Sequence, residues 1–241
     1  MAKIHMSLQG KGGVGKSFTS TMTAQCNDAR GTPTKNIDTD PQNATFHAFT
    51  ALNVQHVNLI ENKEINTRKF DELIELIAPL EQDAVIDTGS NSFFQLTNYL
   101  ISNQVPQLIK DMGHELIIHT PVTGGQAMLE TLSGFAQLAQ QLPEEAKLVV
   151  WLNPYWGPIE QDGKTFEQMK AYRDNKDRVT AIIQVPDVKA ETYGKDVSDM
   201  LKANKTFAEA LADASLPIMV RQRLKIVRDA LFKQITASTV V

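Results

Sequence analysis

A glycine–lysine loop near the N-terminus constrains the fold of this chain more than any other feature. Residues 10–17 read GKGGVGKS and satisfy the pattern G-x-x-x-x-G-K-[ST]. A short segment that reads as a strand, 3–9, precedes the loop, and a helical pattern follows it. This order predicts a phosphate-binding loop, in which backbone N–H groups and a helix N-terminus surround phosphate oxygens. Lys16 would reach the terminal phosphates, and the Ser17 hydroxyl would hold Mg²⁺.

Five further segments read as short strands, and most of them are apolar. They are 34–38, 83–89, 114–121, 147–154 and 179–186. Helical patterns cover 15–29, 67–80 and 126–141. Short buried strands that alternate with helices predict an α/β fold, a mostly parallel sheet with helices on both faces. We expect a single P-loop domain over 1–241, in which 186–241 are mainly helical, and we assign no structure to 43–66.

Composition argues against several other classes of protein. The net charge of −4 does not suit a surface that binds nucleic acid throughout. The single cysteine, Cys26, can form neither an internal disulfide nor a cysteine cage for a metal or an iron–sulfur cluster. No segment approaches the ~18 apolar residues of a membrane span, and the N-terminus lacks a signal-peptide pattern. We therefore expect a cytoplasmic protein without a transmembrane segment.

The loop carries a second lysine, Lys11, directly after its first glycine. KGGVGKS resembles the deviant Walker A motif of the ParA/MinD family of ATPases. In that family the first lysine reaches the partner's phosphates across a nucleotide-sandwich dimer, so the resemblance implies that Lys11 acts in trans. A second cation there would stabilise the charge that spreads over the transferred phosphoryl group. The alternative is a solvated loop lysine.

Two aspartates belong to segments that match the same family. IDTDPQN (37–43) resembles its first switch, which implies that Asp40 positions the attacking water. VIDTG (85–89) resembles its Walker B strand and second switch, which implies that Asp87 holds Mg²⁺ through water. The second switch departs from the family's commoner D-x-P-P. Without the resemblance, Asp40 would belong to an Asp-Pro turn and Asp87 to a helix N-cap.

The resemblance also implies which residues bind the nucleotide, ATP or ADP. The loop and first helical turn would supply Gly12, Gly13, Val14, Gly15, Lys16, Ser17 and Phe18. Phe18 stands where the family usually has a threonine, so its contact would be made by the backbone N–H. The chain has no Asn-Lys-x-Asp guanine signature, which favours adenine as the base.

The base site is expected at the ends of two late strands. Asn153 stands where the family has an adenine-contacting asparagine, and Pro186 and Asp187 would border the base. A plain strand-ending turn explains Pro186 and Asp187 equally well. Trp151 and Trp156 flank this site, where they either pack or stack on the base. The five histidines lack metal-ligand spacing and are interpreted as structural.

Long segments, among them LISNQVPQLIKDMGHELIIHT and VVWLNPYWGPIE, resemble conjugal transfer proteins of IncP-type plasmids that are grouped with the StbB-like proteins. The likeness extends over nearly the whole chain. It implies a bacterial, plasmid-encoded protein that acts in conjugative transfer or plasmid maintenance. Implied partners are a second copy of the chain when ATP is bound, and other plasmid transfer proteins, among them the origin-binding TraK.

The C-terminal segment 216–241 contains five basic residues and one acidic residue. Apolar residues recur there at helical spacing, at Val220, Leu224, Val227, Leu231 and Ile235. The favoured interpretation is a helix packed on the domain with a solvated basic face. Non-specific contact with the DNA backbone and binding to a membrane surface are the alternatives.

Together these features predict a slow, Mg²⁺-dependent ATPase that acts as a dimeric switch. One alternative is a nucleotide-gated binding module with negligible hydrolysis. Another is a small-molecule enzyme of the dethiobiotin-synthetase type, against which Lys11 argues because those loops generally lack the extra lysine.

Overall fold

A seven-stranded parallel sheet forms the centre of the computed structural model, which describes residues 1–61, 64–66, 68–188 and 190–240. The strands of the described chain are β1 (Lys3–Ser7), β2 (Lys35–Asp38), β3 (Gln55–His56), β4 (Ile60–Glu61), β5 (Glu64–Ile65), β6 (Ala84–Asp87), β7 (Glu115–Thr123), β8 (Ala146–Asn153), β9 (Glu160–Gln161), β10 (Lys164–Thr165) and β11 (Val179–Gln184). The order in the sheet is β11-β8-β7-β1-β6-β2-β3. The pairs β4–β5 and β9–β10 are separate antiparallel ribbons.

The helices lie between and after these strands. Those of the described residues are α1 (Lys16–Ala29), α2 (Arg68–Ile77), α3 (Phe93–Ser102), α4 (Val105–Asp111), α5 (Met128–Gln141), α6 (Lys170–Arg173), α7 (Lys195–Lys202), α8 (Phe207–Ala212) and α9 (Ile218–Ala237). Single 3-10 turns at Ser90–Ser92 and Pro154–Trp156 follow β6 and β8. None of the helices in these described ranges is long and apolar enough to cross a membrane.

In the described chain, buried apolar side chains form two large cores on opposite faces of the sheet and a smaller third one that includes Phe46 and Val85. In β1, Ile4 and Met6 join the core beneath α2, α3, α4 and α5. The opposite face packs against α1, α7, α8 and α9, where Met22 and Leu224 meet Trp151 of β8. Because successive residues of a strand point to opposite faces, a strand that is buried on both sides contributes apolar residues to both cores. The predicted α/β fold, one domain with helices on both faces of a parallel sheet, is confirmed.

The C-terminal helix α9 follows the predicted stripe. Leu224, Val227, Leu231 and Ile235 are buried, and Val220 is partly buried against the same core. The favoured interpretation, a helix packed on the domain, is therefore confirmed. In the segment 43–66, which received no assignment, the edge strand β3 pairs in parallel with β2. Its two exposed residues carry too short a pattern to be recognised from sequence.

Candidate functional site

The phosphate loop connects β1 to α1 at the carboxyl edge of the sheet. Gly13 and Gly15 have φ angles of +74° and +111°, a region that L side chains rarely adopt. A Cβ at Gly15 would also lie 2.7 Å from Nδ2 of Asn153. The loop therefore needs glycine at both positions, as a backbone cradle for phosphate does.

Lys16 begins α1 and lies almost wholly inside the loop, with 7% of the residue exposed. Its Nζ donates to the carbonyl oxygen of Lys11 at 3.3 Å. Burial lowers the pKa of Lys16, and the nearby carboxylates of Asp87 and Asp40 act in the opposite direction. A buried ammonium held by one neutral carbonyl is poised to bind an anion.

Asp87 ends β6 beside the loop and is completely buried. Its Oδ1 accepts from the Ser20 hydroxyl at 3.0 Å, and Ser20 in turn bonds Ser7 at 2.8 Å. Among the described residues, Oδ2 has no hydrogen-bond partner. Burial raises the pKa of Asp87 to about 7; the Ser17 hydroxyl lowers it and the Asp38 carboxylate raises it further. The helix N-cap interpretation is wrong, because the next 3-10 turn begins after Gly89.

The donor set at Asp87 fits magnesium. An orphaned, buried carboxylate oxygen next to a serine hydroxyl offers the hard oxygen ligands that this ion prefers. Within the part of the chain that the structure describes, no group of three or more His, Cys, Asp or Glu residues could hold a metal without other ligands. The residues that would hold a magnesium ion here are Asp87 and Ser17.

Asp38 is a site residue that the sequence analysis missed. It pairs in register with Asp87 on the neighbouring strand and is fully buried. Its two oxygens accept from the backbone N–H groups of Asp40 and His47, both at 2.9 Å. Burial raises the pKa of Asp38, and these hydrogen bonds oppose the shift. Asp38 therefore fixes the segment that carries Asp40.

Asp40 closes a turn after β2. Its Oδ1 accepts from the backbone N–H groups of Gln42 at 2.9 Å and Asn43 at 3.1 Å. The same oxygen would lie 3.0 Å from a Cβ at Gly89, so the two predicted switch segments are in contact. The sequence interpretation as an Asp-Pro turn thus describes its hydrogen bonds, and the role in positioning water stays a prediction.

Gln9 connects the loop to β7 and α5, and the sequence analysis did not single it out. The buried Nε2 donates to Thr120, Pro121 and Thr131 at 3.1–3.3 Å, and Oε1 accepts from the N–H of Gly10 at 2.9 Å. A Cβ at Gly134 of α5 would lie 2.0 Å from Oε1. The amide therefore fixes where the loop leaves the sheet.

The side chain of Lys11 forms an ion pair within its own chain. Its Nζ lies 2.7 Å from Oε2 of Glu130 on α5, with the two side chains 42% and 56% exposed. Lys11 thus extends its side chain from the loop towards α5, while its backbone carbonyl oxygen accepts from the ammonium of Lys16. Its predicted contact with a partner's nucleotide stays a prediction.

The end of β8 is bonded to the loop. Asn153 donates through Nδ2 to the carbonyl oxygen of Val14 at 3.1 Å and accepts from the N–H of Tyr155 at 3.2 Å. Trp156 donates through Nε1 to the carbonyl oxygen of Gly13 at 3.2 Å. Trp151 is fully buried, as the packing interpretation expected. The contact of Asn153 with the base stays a prediction. Its second amide hydrogen is the one that could donate to the base.

The other predicted binding residues surround the same edge. Gly12 lies beside Ser90, whose Oγ would be 3.4 Å from a Cβ there. The side chain of Phe18 packs on the core beneath α1, which leaves its backbone at the loop. Pro186 and Asp187 follow β11, the parallel neighbour of β8. The structure therefore brings all the predicted site residues to one edge of the sheet.

Comparisons with known proteins agree with this geometry. Residues 6–227 match the CbiA family, described as the CobQ/CobB/MinD/ParA nucleotide binding domain. Two proteins from Escherichia coli, each named Protein TraL, are 63% and 59% identical over 241 residues, the full length of both chains in each case. A structure of the MinC:MinD cell division protein complex from Aquifex aeolicus aligns over 98% of this chain and 96% of its own, with a TM-score of 0.53 and 14% identity.

The similarity to the MinC:MinD structure concerns the fold alone, and it agrees with a P-loop NTPase sheet of the ParA/MinD type. The match to the CbiA family covers most of the chain, including the loop, both predicted switch segments and Asn153. The chain therefore belongs to the CobQ/CobB/MinD/ParA family of nucleotide-binding domains.

Proposed function

We propose that this protein is a slow, Mg²⁺-dependent ATPase that acts as a dimeric switch in plasmid conjugative transfer or maintenance. The observation that carries the proposal is the orphaned Oδ2 of Asp87, buried at a strand end beside the loop that holds Lys16. Full-length similarity to TraL proteins supports the plasmid context. The family's ATPase character supports the reaction.

Each residue of the site has a role in this proposal. The loop N–H groups and Lys16 bind the β- and γ-phosphates, and Asp40 orients the attacking water. Asp87 and Ser17 would hold magnesium, which supplies positive charge to the phosphate oxygens when bound. Lys11 of each copy leaves Glu130 and completes the partner's site, so that hydrolysis depends on two copies closing together.

Light scattering on the full-length protein without nucleotide, with ADP and with ATP tests the switch. Asp40→Asn is the variant of choice, because an amide oxygen still accepts the N–H groups of Gln42 and Asn43 but cannot act as a base. We expect the wild type to dimerise with ATP and the variant to remain dimeric for longer. A variant that stays monomeric at saturating ATP would contradict the sandwich dimer.

A second candidate function is a nucleotide-gated binding module with negligible hydrolysis. It is favoured by Asp40, whose Oδ1 is already occupied by two backbone N–H groups. Phosphate release, measured for the protein alone and with DNA or the origin-binding TraK, separates the two functions.

Contact with DNA would use the basic side of α9, where Arg223 pairs with Asp196 and Lys225 with Asp229.

A further inference from the structure

An exposed aromatic pair lies beside the phosphate loop. Tyr155 and Trp156 are 66% and 57% exposed, and their rings meet edge to face with centroids 4.9 Å apart. Aromatic side chains of this size are normally covered, and an exposed pair next to a site is typical of a binding surface.

The loop that carries this pair is held on two sides. Asn153 bonds the loop to Val14 and to the N–H of Tyr155. On the other side, a Cβ at Gly125 would lie 2.6 Å from the carbonyl oxygen of Trp156, so the two backbones are in direct contact. Trp156 is therefore positioned before any ligand binds, which lowers the entropy lost on binding.

The indole N–H of Trp156 already has a hydrogen-bond acceptor. It donates to the carbonyl oxygen of Gly13, a residue of the loop that would surround the phosphates. The edge of the ring is thus fixed at the loop while more than half of the residue stays exposed. Asn153, the other candidate at this strand end, donates one amide hydrogen to Val14 and accepts from Tyr155, so a single amide hydrogen is left for a ligand. The indole face adds a planar apolar surface on this side of the loop.

We propose that Trp156 is the base-stacking residue of the nucleotide site, on whose indole face a purine ring packs. This inference rests on the proposed function, since it requires a nucleotide whose phosphates occupy the loop. The hydrogen bond to Gly13 fixes the indole beside the phosphate loop.

Binding titrations with ATP and with inorganic tripolyphosphate, both with Mg²⁺, test the stacking. Trp156→Ala should weaken ATP binding about tenfold, because base–aromatic stacking is typically lost on such truncation. It should leave tripolyphosphate affinity within about twofold, because that ligand has no base. Trp156→Phe, which keeps a ring but not the N–H, should retain most of the ATP affinity. Phe94→Ala removes another exposed aromatic residue, 60% exposed on α3, and is the matched control.

The wild type supplies a second readout that needs no variant. The chain has two tryptophans, and Trp151 is fully buried with its N–H on His119 at 2.9 Å. ATP should quench the emission of Trp156 more strongly than tripolyphosphate does, and Trp156→Phe should abolish the difference.

Three results would overturn the inference. Equal losses for ATP and tripolyphosphate in Trp156→Ala would mean that the residue acts through Gly13 alone. Unchanged ATP affinity with a lost ATP-dependent dimer would place Trp156 against the second copy of the chain. Unchanged affinity and unchanged emission would remove any role in base binding. If the wild type binds neither ligand, the proposed function fails as well, so the two failures are distinguishable.

Discussion

The ammonium of Lys11 lies 2.7 Å from the Glu130 carboxylate of the same chain. The two side chains are 42% and 56% exposed, and a surface pair of this kind contributes about 0–1 kcal/mol. Lys11 can therefore exchange Glu130 for the phosphate of a second copy at small cost. On the proposed function, Glu130 competes with the partner's nucleotide for Lys11.

Replacing Glu130 should consequently strengthen self-association. We expect Glu130→Gln to tighten the ATP-dependent dimer by about two- to thirtyfold, because a symmetric dimer releases two such pairs and each contributes up to about 1 kcal/mol. Lys11→Ala should abolish the dimer. Sedimentation over a series of protein concentrations with ATP measures both effects.

The control for net charge is Glu144→Gln, which makes the same change at an exposed residue beyond the end of α5. It should leave the dimer unchanged. A Glu130→Gln variant that dimerises no better than Glu144→Gln would show that the contact does not restrain Lys11.

A second prediction concerns Gly134 and Gln9. Glycine in a helix usually costs about 1 kcal/mol relative to alanine, so Gly134→Ala would ordinarily stabilise α5. Here the added Cβ would lie 2.0 Å from Oε1 of Gln9, and the amide would have to leave its four hydrogen bonds. We expect a loss of about 1–3 kcal/mol in urea unfolding and weaker nucleotide binding.

Ser133→Ala, at an exposed position one residue earlier in α5, is the matched control and should be near neutral. Gln9→Ala removes the atom that collides, so the double variant should lose less than the sum of the single variants. Additive losses would indicate that Gly134 is needed for another reason.

The sequence predicted the sheet and a phosphate loop with Lys16 and Ser17, because these depend on local patterns, whereas Asp87 was assigned through the family resemblance. Strand periodicity and glycine spacing are read within about ten residues. Gln9 and Glu130 were not predicted, because their contacts join the loop to α5 more than a hundred residues later. Such partners follow from tertiary packing, and no local pattern marks them.

Other parts of the site were visible in the sequence but ambiguous. Asp38 ends a predicted strand, yet only the register of β2 with β6 shows that it lies opposite Asp87. From the sequence, Trp151 and Trp156 could each either pack in the core or stack on the base. The structure separates them, because Trp151 points into a core and Trp156 lies on a loop held against Gly13.

Acid should destabilise the buried pair His5 and His119. Trp151 donates to Nδ1 of His119, whose Nε2 then donates to Nδ1 of His5 at 2.9 Å. Burial lowers the pKa of His5 well below its usual value and that of His119 to about 3. The unfolded chain therefore binds protons first, so stability falls as pH drops below about 6.5, by up to about 1.4 kcal/mol per pH unit for each histidine.

Urea unfolding between about pH 7.5 and pH 5 measures this slope. His119→Gln can still accept from Trp151 and donate to His5, and it should show a shallower loss of stability in acid than the wild type. His56→Gln is the control, since His56 is exposed. The difference between variants isolates the histidines from Asp87, whose raised pKa acts in the opposite direction. Parallel pH profiles for wild type and His119→Gln would contradict the prediction.

The last prediction is that Asp87 lowers the stability of the nucleotide-free protein. Its pKa of about 7 lies above the unfolded value of about 4, so the folded state holds the proton more tightly between these limits. The stability that Asp87 contributes is thus present in acid and is lost as pH rises through about 7. Asp87→Asn cannot ionise and should be more stable than the wild type by a few kcal/mol at about pH 8, with little difference at about pH 4.

Unfolding without nucleotide or Mg²⁺ across this range measures the effect, and Asp111→Asn makes the same charge change at an exposed position. Asp87→Asn should also lose the gain in ATP affinity that Mg²⁺ gives the wild type, because the orphaned carboxylate oxygen is replaced. The burial of a carboxylate that serves to bind a ligand costs stability until that ligand is bound. Asp87→Asn should therefore be more stable than the wild type but no longer respond to Mg²⁺. A variant that is less stable at every pH would instead mean that Asp87 serves the fold through Ser20.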